Sequence, residues 1–301
     1  MTTPQAAAQP LMFGIDAASS QHDVDWATVD NSTGFGFEKV TQGTSYLNPY
    51  WAKAKPAMAA RAKATGFVPG AYLFLNEGNG AAQADWFAQN AGDLDGFMLA
   101  VDIEPWSAGH SRPTLQDGKD CVARLRHHYP AHPVGGYIPQ WYWDSQDTTF
   151  CDWLWQSRYL LRTGTPRELY PHVPADWWTG YGGLDVTLLQ FTSSATVGGV
   201  AGLVDCSAYR GHPADLRKLT LPPTAPQPFP SGRHVVSDNP GTLAALAKLQ
   251  GVDVTDIWWA TVLGGGGTLV LPGRPGHLQR ELLNSGKWDE KMKAGTVLYL
   301  P

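Results

Sequence analysis

Two carboxylates close to the end of an apolar segment are the feature of this sequence best suited to catalysis. Phe97–Ile103 is almost continuously apolar, carries Asp102 near its end and is followed at once by Glu104. Because side chains alternate along a strand, Asp102 and Glu104 fall on one face, with backbones about 6.6 Å apart. Acids at such a separation have coupled ionisation and can hold a sugar oxygen and a developing cation between them, which is the chemistry of glycosidic bonds.

Two further acids lie at strand ends. Asp16 ends the first apolar segment, and Asp205 follows the last one. The first and eighth strands are neighbours when a barrel closes, so we expect these two acids to face the same mouth as Asp102 and Glu104. Repulsion and partial burial should raise at least one pKa, and Glu104 is the best candidate to hold a proton near neutral pH. A single Asp after a strand is typical of a turn or a helix cap, whereas four acids at one mouth indicate a site.

The elements that must position these acids alternate along residues 11–220. Helical patterns over Pro49–Thr65, Ala81–Asn90 and Thr114–Tyr129 separate the earlier strands, and the later spacers show little helical period. Apolar strands that alternate with helices are typical of a parallel sheet, and eight of them predict an α/β fold, a modified TIM-like barrel whose last crossovers have lost their helices. The predicted strands are Met12–Ile15, Phe35–Val40, Val68–Leu75, Phe97–Ile103, Val134–Ile138, Trp153–Trp155, Val186–Phe191 and Leu203–Val204.

A proline-rich stretch divides the chain. Leu221–Ser231 is crowded with prolines, and such a run favours extended polyproline II, which is typical of a semi-rigid spacer. We therefore predict a catalytic barrel over residues 1–220, a linker over 221–231 and a small α+β domain over 232–301. The alternative is a proline-rich surface loop within one domain.

Composition excludes several classes of protein. Of the 301 residues, 43% are hydrophobic and only 16% are charged, which excludes a highly charged disordered chain. The formal net charge of −5 argues against nucleic acid or an anionic membrane surface as a partner. The three cysteines, Cys121, Cys151 and Cys206, stand far apart and are expected to be free buried thiols.

The first residues indicate where the protein is made. Residues 1–10 lack the basic and apolar regions of a secretory signal, and no apolar run approaches the ~18–20 residues of a membrane span. We therefore expect synthesis in a cytoplasm and a separate route to any site of action outside it.

Several short segments along residues 11–215 form a pattern through their order and spacing, and the pattern does not depend on any single motif. They are Gly14-Ile15-Asp16 with Gln21, Lys39–Tyr46, Gly70–Phe74, Val101–Glu104, Gly136-Tyr137 with Trp141, Leu154-Trp155 with Arg158-Tyr159, Leu189–Ser193 and Val204-Asp205. Together they resemble the family 25 glycoside hydrolases, the Chalaropsis-type lysozymes of bacteria, fungi and phages.

The resemblance implies hydrolysis of the β-1,4 bond between N-acetylmuramic acid and N-acetylglucosamine in peptidoglycan, on a (β/α)5(β)3 barrel. Carried over residue by residue, it implies that Glu104 is the general acid and that Asp16 and Asp205 are supporting acids. It implies that Asp102 is the partner of Glu104, either as the nucleophile or as the group that orients the substrate's 2-acetamido group. The spacing of about 6.6 Å leaves both roles open.

Three positions refine the resemblance. Gln42 stands where a glutamate is usual, which removes a negative charge near the groove and bears on the pH optimum. Ser20 stands where the first motif often has an aromatic side chain, so one sugar contact is expected to be missing. Ala100 stands where chitinases that use the substrate acetamido group carry a further Asp, which argues against a chitinase.

Aromatic residues near the strand ends are candidates for sugar binding, because the C–H faces of sugars stack on flat rings. Tyr72, Tyr137 and Trp141 combine a strand-end position with a match to the family, and Trp155 belongs to the same cluster. Gln190 offers a polar partner for hydroxyl and acetamido groups. We predict these five as substrate-binding residues.

The sequence does not predict a metal or a cofactor. His128 and His132 have the spacing of a zinc-binding helix, but Pro130 and Pro133 interrupt that helix. Gly264–Gly267 lacks the Lys and the Ser or Thr of a phosphate-binding loop.

The C-terminal residues Arg233–Pro301 resemble a LysM peptidoglycan-binding module. His234–Val236 and Ala294–Pro301 are predicted as edge strands, with a short amphipathic helix around Leu243, Leu246 and Leu249 between them. The stretch Trp258–Lys293 is longer than such a module allows, so a generic small α+β domain is the alternative.

The leading hypothesis is a two-part, phage-endolysin-like muramidase, made in the host cytoplasm, that acts as a monomer on the peptidoglycan strands of the bacterial cell wall. One alternative is a non-catalytic protein that keeps the barrel as a sugar-binding platform, although binding alone would not need four mutually repelling carboxylates. A second alternative is a lytic enzyme that cuts a different wall bond, either a glucosaminidase or an amidase.

Overall fold

The computed structural model of the chain describes residues 10–21, 24–106, 108, 110–130 and 132–220, and four short strands further on, at 234–236, 258–263, 267–269 and 297–299. The chain divides into two compact units, Met1–Pro222 and Pro223–Pro301. The predicted linker at 221–231 lies outside the described residues.

The sheet of the first unit closes on itself. Its strands are β1 Leu11–Ala17, β2 Thr33–Gln42, β3 Tyr46–Leu47, β4 Val68–Phe74, β5 Met98–Asp102, β6 Val134–Tyr137, β7 Trp153–Ser157, β8 Val186–Ala195 and β9 Val204–Arg210. Pairing runs from β2 through β4, β5, β6, β7, β8 and β9 to β1, and β1 pairs with β2 in turn, while β3 extends β2 as a hairpin. Seven of the eight predicted strands are present, and β9, which begins at Val204 where the eighth was predicted to end, closes the sheet, so the predicted α/β barrel is confirmed.

Full-length helices follow only the earlier strands. They are α1 Trp51–Thr65, α2 Gly80–Ala91 and α3 Leu115–His128, which agree with the predicted helices to within two residues. The later connections contain only short helical turns, in agreement with their weak helical period: α4 Gln140–Trp143, α5 Pro166–Leu169 and 3-10 turns at Tyr170–His172 and Ala175–Trp178. A 3-10 turn at Ser19–Gln21 also follows β1, and α6 Pro213–Arg217 follows β9. The start of α3 is fixed by Thr114, whose Oγ1 accepts a hydrogen bond from the Asp117 N–H at 3.2 Å in a capping box.

Side-chain alternation divides the apolar residues between two cores. Outward-facing residues such as Val101 and Ile103 belong to the core beneath the helices. Inward-facing residues fill the barrel itself: Phe35, Phe37, Val68, Tyr72, Met98, Ala100, Tyr137, Trp153, Trp155, Leu188 and Tyr209, and Leu216 from the helix after β9 joins the same cluster. Glycines make room for the large rings, since a Cβ on Gly135 would lie 2.2 Å from the Trp153 indole. The barrel interior is therefore packed rather than open.

Strand β9 corrects one prediction. It pairs antiparallel with both β1 and β8, whereas the sequence pattern predicted a parallel strand that ends at Asp205. A parallel return needs a crossover of about a dozen residues or more, and only residues 196–203 separate β8 from β9. Asp205 therefore lies at the start of β9, and the reversed direction brings it to the carboxyl end of β1.

The second unit contains an antiparallel sheet of β10 His234–Val236, β11 Trp258–Leu263, β12 Gly267–Leu269 and β13 Val297–Tyr299, in the order β10-β13-β11-β12. The two predicted edge strands thus pair with each other, as β10 and β13. The predicted helix around Leu243, Leu246 and Leu249 lies outside the described residues, and the likeness to a LysM module stays a prediction.

The three cysteines, Cys121, Cys151 and Cys206, are free and buried, as predicted. Within the described ranges, none of the helices combines the length and the apolar character that crossing a bilayer requires.

Candidate active site

The inward-facing side chains change from apolar to polar at the carboxyl ends of the parallel strands. Along β5, Met98 and Ala100 belong to the inner core, and the next inward residue is Asp102. Along β8, Leu188 is followed in the same way by Gln190. The packed interior therefore forms a floor, and the polar residues above it line an open mouth.

A cavity of about 220 Å³ occupies this mouth. Its lining is Asp16, Ala18, Ser20, Lys39, Tyr72, Phe74, Asp102, Glu104, Tyr137, Trp155, Tyr159, Gln190 and Asp205. Every strand of the closed barrel contributes at least one of these residues. The four acids identified in the sequence are therefore brought together at one cavity.

The β5 segment fixes the direction of Asp102 and Glu104. The N–H of Ile103, between them, donates to the carbonyl oxygen of Tyr137 at 2.8 Å, which continues the β5–β6 ladder beyond Asp102. Ile103 packs in the outer core, so its two neighbours turn inward. Pro105 then restricts Glu104 to extended backbone. Asp102 is only 8% exposed, and its Oδ1 accepts no hydrogen bond from the described residues.

Burial raises the pKa of each acid in the cavity. It raises the pKa of Glu104 to about 7, against an opposing effect of Lys39 and with a further rise from Asp205. Burial also raises the pKa of Asp205 to about 6 and lifts that of Asp102 well above its usual range, with Glu104 adding to the rise of Asp102. The sequence predicted that Glu104 holds a proton near neutral pH because of burial and repulsion between acids. Of these two causes, burial makes the larger contribution to its raised pKa. This pKa is suited to a general acid.

Asp16 and Asp205 face each other across the β1–β9 ladder. Gln190 links Asp16 to two tyrosines. Its Nε2 donates a hydrogen bond to Asp16 Oδ2 at 2.7 Å, and its Oε1 accepts hydrogen bonds from the hydroxyl groups of Tyr137 at 2.9 Å and Tyr159 at 2.6 Å. Because two hydroxyls point at the amide oxygen, the amide nitrogen is the atom that faces Asp16. Burial, followed by the charge of Asp205, raises the pKa of Asp16.

Lys39 is the one cationic side chain among the residues that line the cavity. Its Nζ lies 4.6 Å from the ring centroid of Phe74 and 5.7 Å from that of Tyr72. Burial lowers the pKa of Lys39, and Asp102 is the strongest of the acids that oppose this shift. Lys39 thus supplies the positive charge that a cluster of buried acids requires.

Comparison with known proteins agrees with this geometry. Residues 15–200 match the profile of the family described as Glycosyl hydrolases family 25. The chain belongs to this family. Among its relatives is Lysozyme M1 of Streptomyces globisporus, which is 26% identical over 68% of this chain and 70% of its own length.

Solved structures share the fold of family 25. The lysozyme of Streptomyces coelicolor is 25% identical, with a TM-score of 0.56 over 72% of this chain and 98% of its own. The catalytic domain of endolysin ply40, from bacteriophage P40 of Listeria monocytogenes, is 16% identical with a TM-score of 0.52 over 71% of this chain and all of its own, and shows the likeness of fold alone.

Four of the five predicted sugar-binding residues line the family 25 cavity: Tyr72, Tyr137, Trp155 and Gln190. Trp155 is largely part of the floor, since the centroid of its ring lies 4.5 Å from that of Phe37 at a tilt of 31° and its Nε1 donates to Ser207 Oγ at 3.0 Å. Trp141 does not line the cavity. It lies on α4, four residues after Tyr137, with 68% of its surface exposed.

Of the two positions that differ from the family 25 pattern, one lines the cavity and the other does not. Ser20 lines the cavity, whereas Gln42 lies outside the lining and donates to Asn76 Oδ1 at 3.4 Å. Sequence reasoning did not single out Lys39 or Tyr159 as site residues, although both stand within shared segments. Alternation could have found Lys39, because Phe35 and Phe37 are the two preceding inward residues of β2.

Proposed function

We propose that this family 25 glycoside hydrolase is a lysozyme-type muramidase that hydrolyses the β-1,4 bond between N-acetylmuramic acid and N-acetylglucosamine in peptidoglycan. The observation that carries the proposal is the meeting of Asp16, Asp102, Glu104 and Asp205 at one cavity. Membership of the family and the likeness to Lysozyme M1 support the same substrate.

Glu104 acts as the general acid. With a pKa of about 7, about half of its carboxyl groups carry a proton at pH 7, against about 0.3% for an ordinary glutamate of pKa 4.5. The proton passes to the glycosidic oxygen as its bond to the anomeric carbon breaks, so that the leaving sugar departs as a neutral alcohol. Glu104, now ionised, takes a proton from the water that attacks the anomeric carbon in the second step.

Asp102 stabilises the positive charge that develops at the anomeric carbon. The side chain lines the cavity, and its buried Oδ1 accepts no hydrogen bond from the described residues, so the carboxylate can either attack that carbon or orient the 2-acetamido group for attack. Either role needs the ionised carboxylate, and the positive charge of Lys39 opposes the rise in the pKa of Asp102.

The remaining residues support this pair. Asp205 helps to raise the pKa of Glu104, and Gln190 holds Asp16 by the 2.7 Å hydrogen bond. Tyr72, Tyr137 and Trp155 line the floor of the cavity beneath the sugar. Trp141 offers an exposed ring beyond the cavity. We assign all of these residues to substrate binding or support.

The decisive experiment compares the parent with Glu104→Gln on purified peptidoglycan and measures the release of reducing ends. Glu104→Gln removes the donated proton while it preserves shape, so activity should fall by at least a hundredfold. Asp95→Asn is the matched control, because Asp95 is exposed and lies before β5 at the other end of the barrel. If Glu104→Gln releases reducing ends as fast as the parent, the acid is misassigned.

Mass spectrometry of the digest identifies the bond. Reducing-end muramic acid supports the proposal, whereas reducing-end glucosamine indicates a glucosaminidase and free stem peptide indicates an amidase. Peptidoglycan that is bound but not cut indicates the sugar-binding alternative.

The second unit extends the proposal to the intact cell wall. We assign residues 1–220 to catalysis, 221–231 to a linker and 232–301 to a LysM-like wall-binding domain, in a protein that acts as a monomer. Co-sedimentation of the full chain and of a chain ending at residue 222 with insoluble peptidoglycan tests the assignment. Equal binding by the two chains would contradict it.

A further inference from the structure

The segment that carries Glu104 continues through Pro105 to an exposed tryptophan, Trp106. Trp106 pairs with Ser111 through two backbone hydrogen bonds, of 3.0 and 3.1 Å. Pro105 has a fixed φ and holds Glu104 in extended conformation, so the path from Glu104 to Trp106 is stiff. Even so, 42% of the surface of Trp106 faces solvent.

Neighbouring loops hold the paired residues Trp106 and Ser111 from both sides. Ser111 Oγ accepts the N–H of Glu77 at 2.7 Å, and the N–H of Arg112 donates to the Glu77 carboxylate at 3.2 Å. On the other side, the Tyr142 hydroxyl donates to the carbonyl oxygen of Pro113 at 2.7 Å. The exposed Trp106 ring therefore stands on a segment whose backbone is held on both sides, so the ring is presented from a fixed position two residues from Glu104.

Chain order places Trp106 close to Glu104. Met98, Ala100, Asp102 and Glu104 face inward, and Trp106 follows two residues, about 7 Å of backbone, beyond Glu104, just outside the residues that line the cavity. In the proposed reaction, Asp102 serves the anomeric carbon and Glu104 serves the glycosidic oxygen. The chain therefore passes from Asp102 to Glu104 to Trp106, an order that leads from the anomeric carbon toward the sugar that departs.

We propose that Trp106 is the stacking platform for the leaving-group sugar, the N-acetylglucosamine on the reducing side of the cleaved bond. The inference rests on the proposed function and adds a binding residue to it. The C–H face of the sugar ring stacks on the indole, and the stiff link to Glu104 places the sugar's bridging oxygen beside the acid.

The test compares the full-length parent with Trp106→Ala, Trp106→Phe and Leu11→Ala on soluble, uncrosslinked glycan strands. Leu11 is the matched control, because it is 41% exposed and begins β1 at the opposite end of the barrel. Trp106→Ala should lower kcat/KM by about 2- to 13-fold, as expected for the loss of one stacked ring. Trp106→Phe should retain most of the parent value, and Leu11→Ala should match the parent.

Product inhibition tells which side of the bond Trp106 serves. The product that begins with N-acetylglucosamine should inhibit Trp106→Ala more weakly than the parent, by a similar factor, while the product that ends in reducing muramic acid should inhibit both equally. The inference is overturned if Trp106→Ala and Trp106→Phe match Leu11→Ala, or if inhibition by the second product is the one that weakens. If the parent protein releases reducing-end muramic acid but the Trp106 variants behave like it, only this inference is refuted. If the parent protein releases no reducing-end muramic acid, the proposed function is refuted and this inference with it.

Discussion

The pH dependence of the reaction gives the sharpest test of the site. Glu104 must be protonated to act, and burial raises its pKa to about 7. The protonated fraction is therefore about 0.9 at pH 6, about 0.5 at pH 7 and about 0.1 at pH 8. We expect kcat/KM to fall along this curve, with an inflection near pH 7 and roughly a tenfold loss for each further pH unit.

Two substitutions should move this inflection in opposite directions. Lys39 favours the ionised form of Glu104, so Lys39→Met should raise the pKa of Glu104 and shift the inflection to higher pH. Asp205 favours the protonated form, so Asp205→Asn should shift it to lower pH. Relative to the maximum of each variant, one unit upward raises the rate at pH 8 about fivefold, and one unit downward lowers it about ninefold.

The assay is the release of reducing ends from soluble glycan strands between pH 4 and 9, at constant ionic strength. Lys63→Met is the control for loss of a positive charge and Asp95→Asn is the control for loss of a negative one, since both residues are exposed. Neither control should move the inflection. If Lys39→Met and Asp205→Asn shift it in the same direction, or leave it in place, the charges around Glu104 are not those described.

Three further outcomes follow from the described structure. The raised pKa of Glu104 stabilises the fold below about pH 4.5 and that stability is lost as pH rises through about 7, so Glu104→Gln should raise the melting temperature at pH 8 and not at pH 4. Gly135→Ala places a methyl group against the Trp153 ring and should lower stability by about 1–3 kcal/mol in denaturant unfolding. The three buried cysteines should not react with a thiol reagent in the native protein and should all react after unfolding.

Alternation along the strands made much of the site predictable. The apolar run before Asp102 indicates a buried strand, and the period of two places Asp102 and Glu104 on one face. The same rule applies to Asp16 at the end of β1. These residues depend on local pattern alone, and the structure places them where the pattern does.

The direction of the last strand and the residues in loops were harder to predict from the sequence. Asp205 was placed at the correct mouth by reasoning from a parallel strand, while the structure brings it there through an antiparallel one. The short connection 196–203 was the available signal, because it is too short for a parallel crossover. Tyr159 lies beyond the end of β7, and its hydrogen bond to Gln190 joins residues 31 positions apart. No local periodicity reports such a contact.

The floor of the barrel links stability to chemistry. Rings such as Trp153 and Trp155 fill the interior below the acids, and the acids meet solvent at the mouth. The same packing removes solvent from Glu104, and desolvation is the largest cause of its raised pKa. A looser floor would admit water beneath the acids and bring the pKa of Glu104 back toward that of an ordinary glutamate. The side chains that fill the barrel below the acids therefore contribute both to stability and to the low exposure of the site.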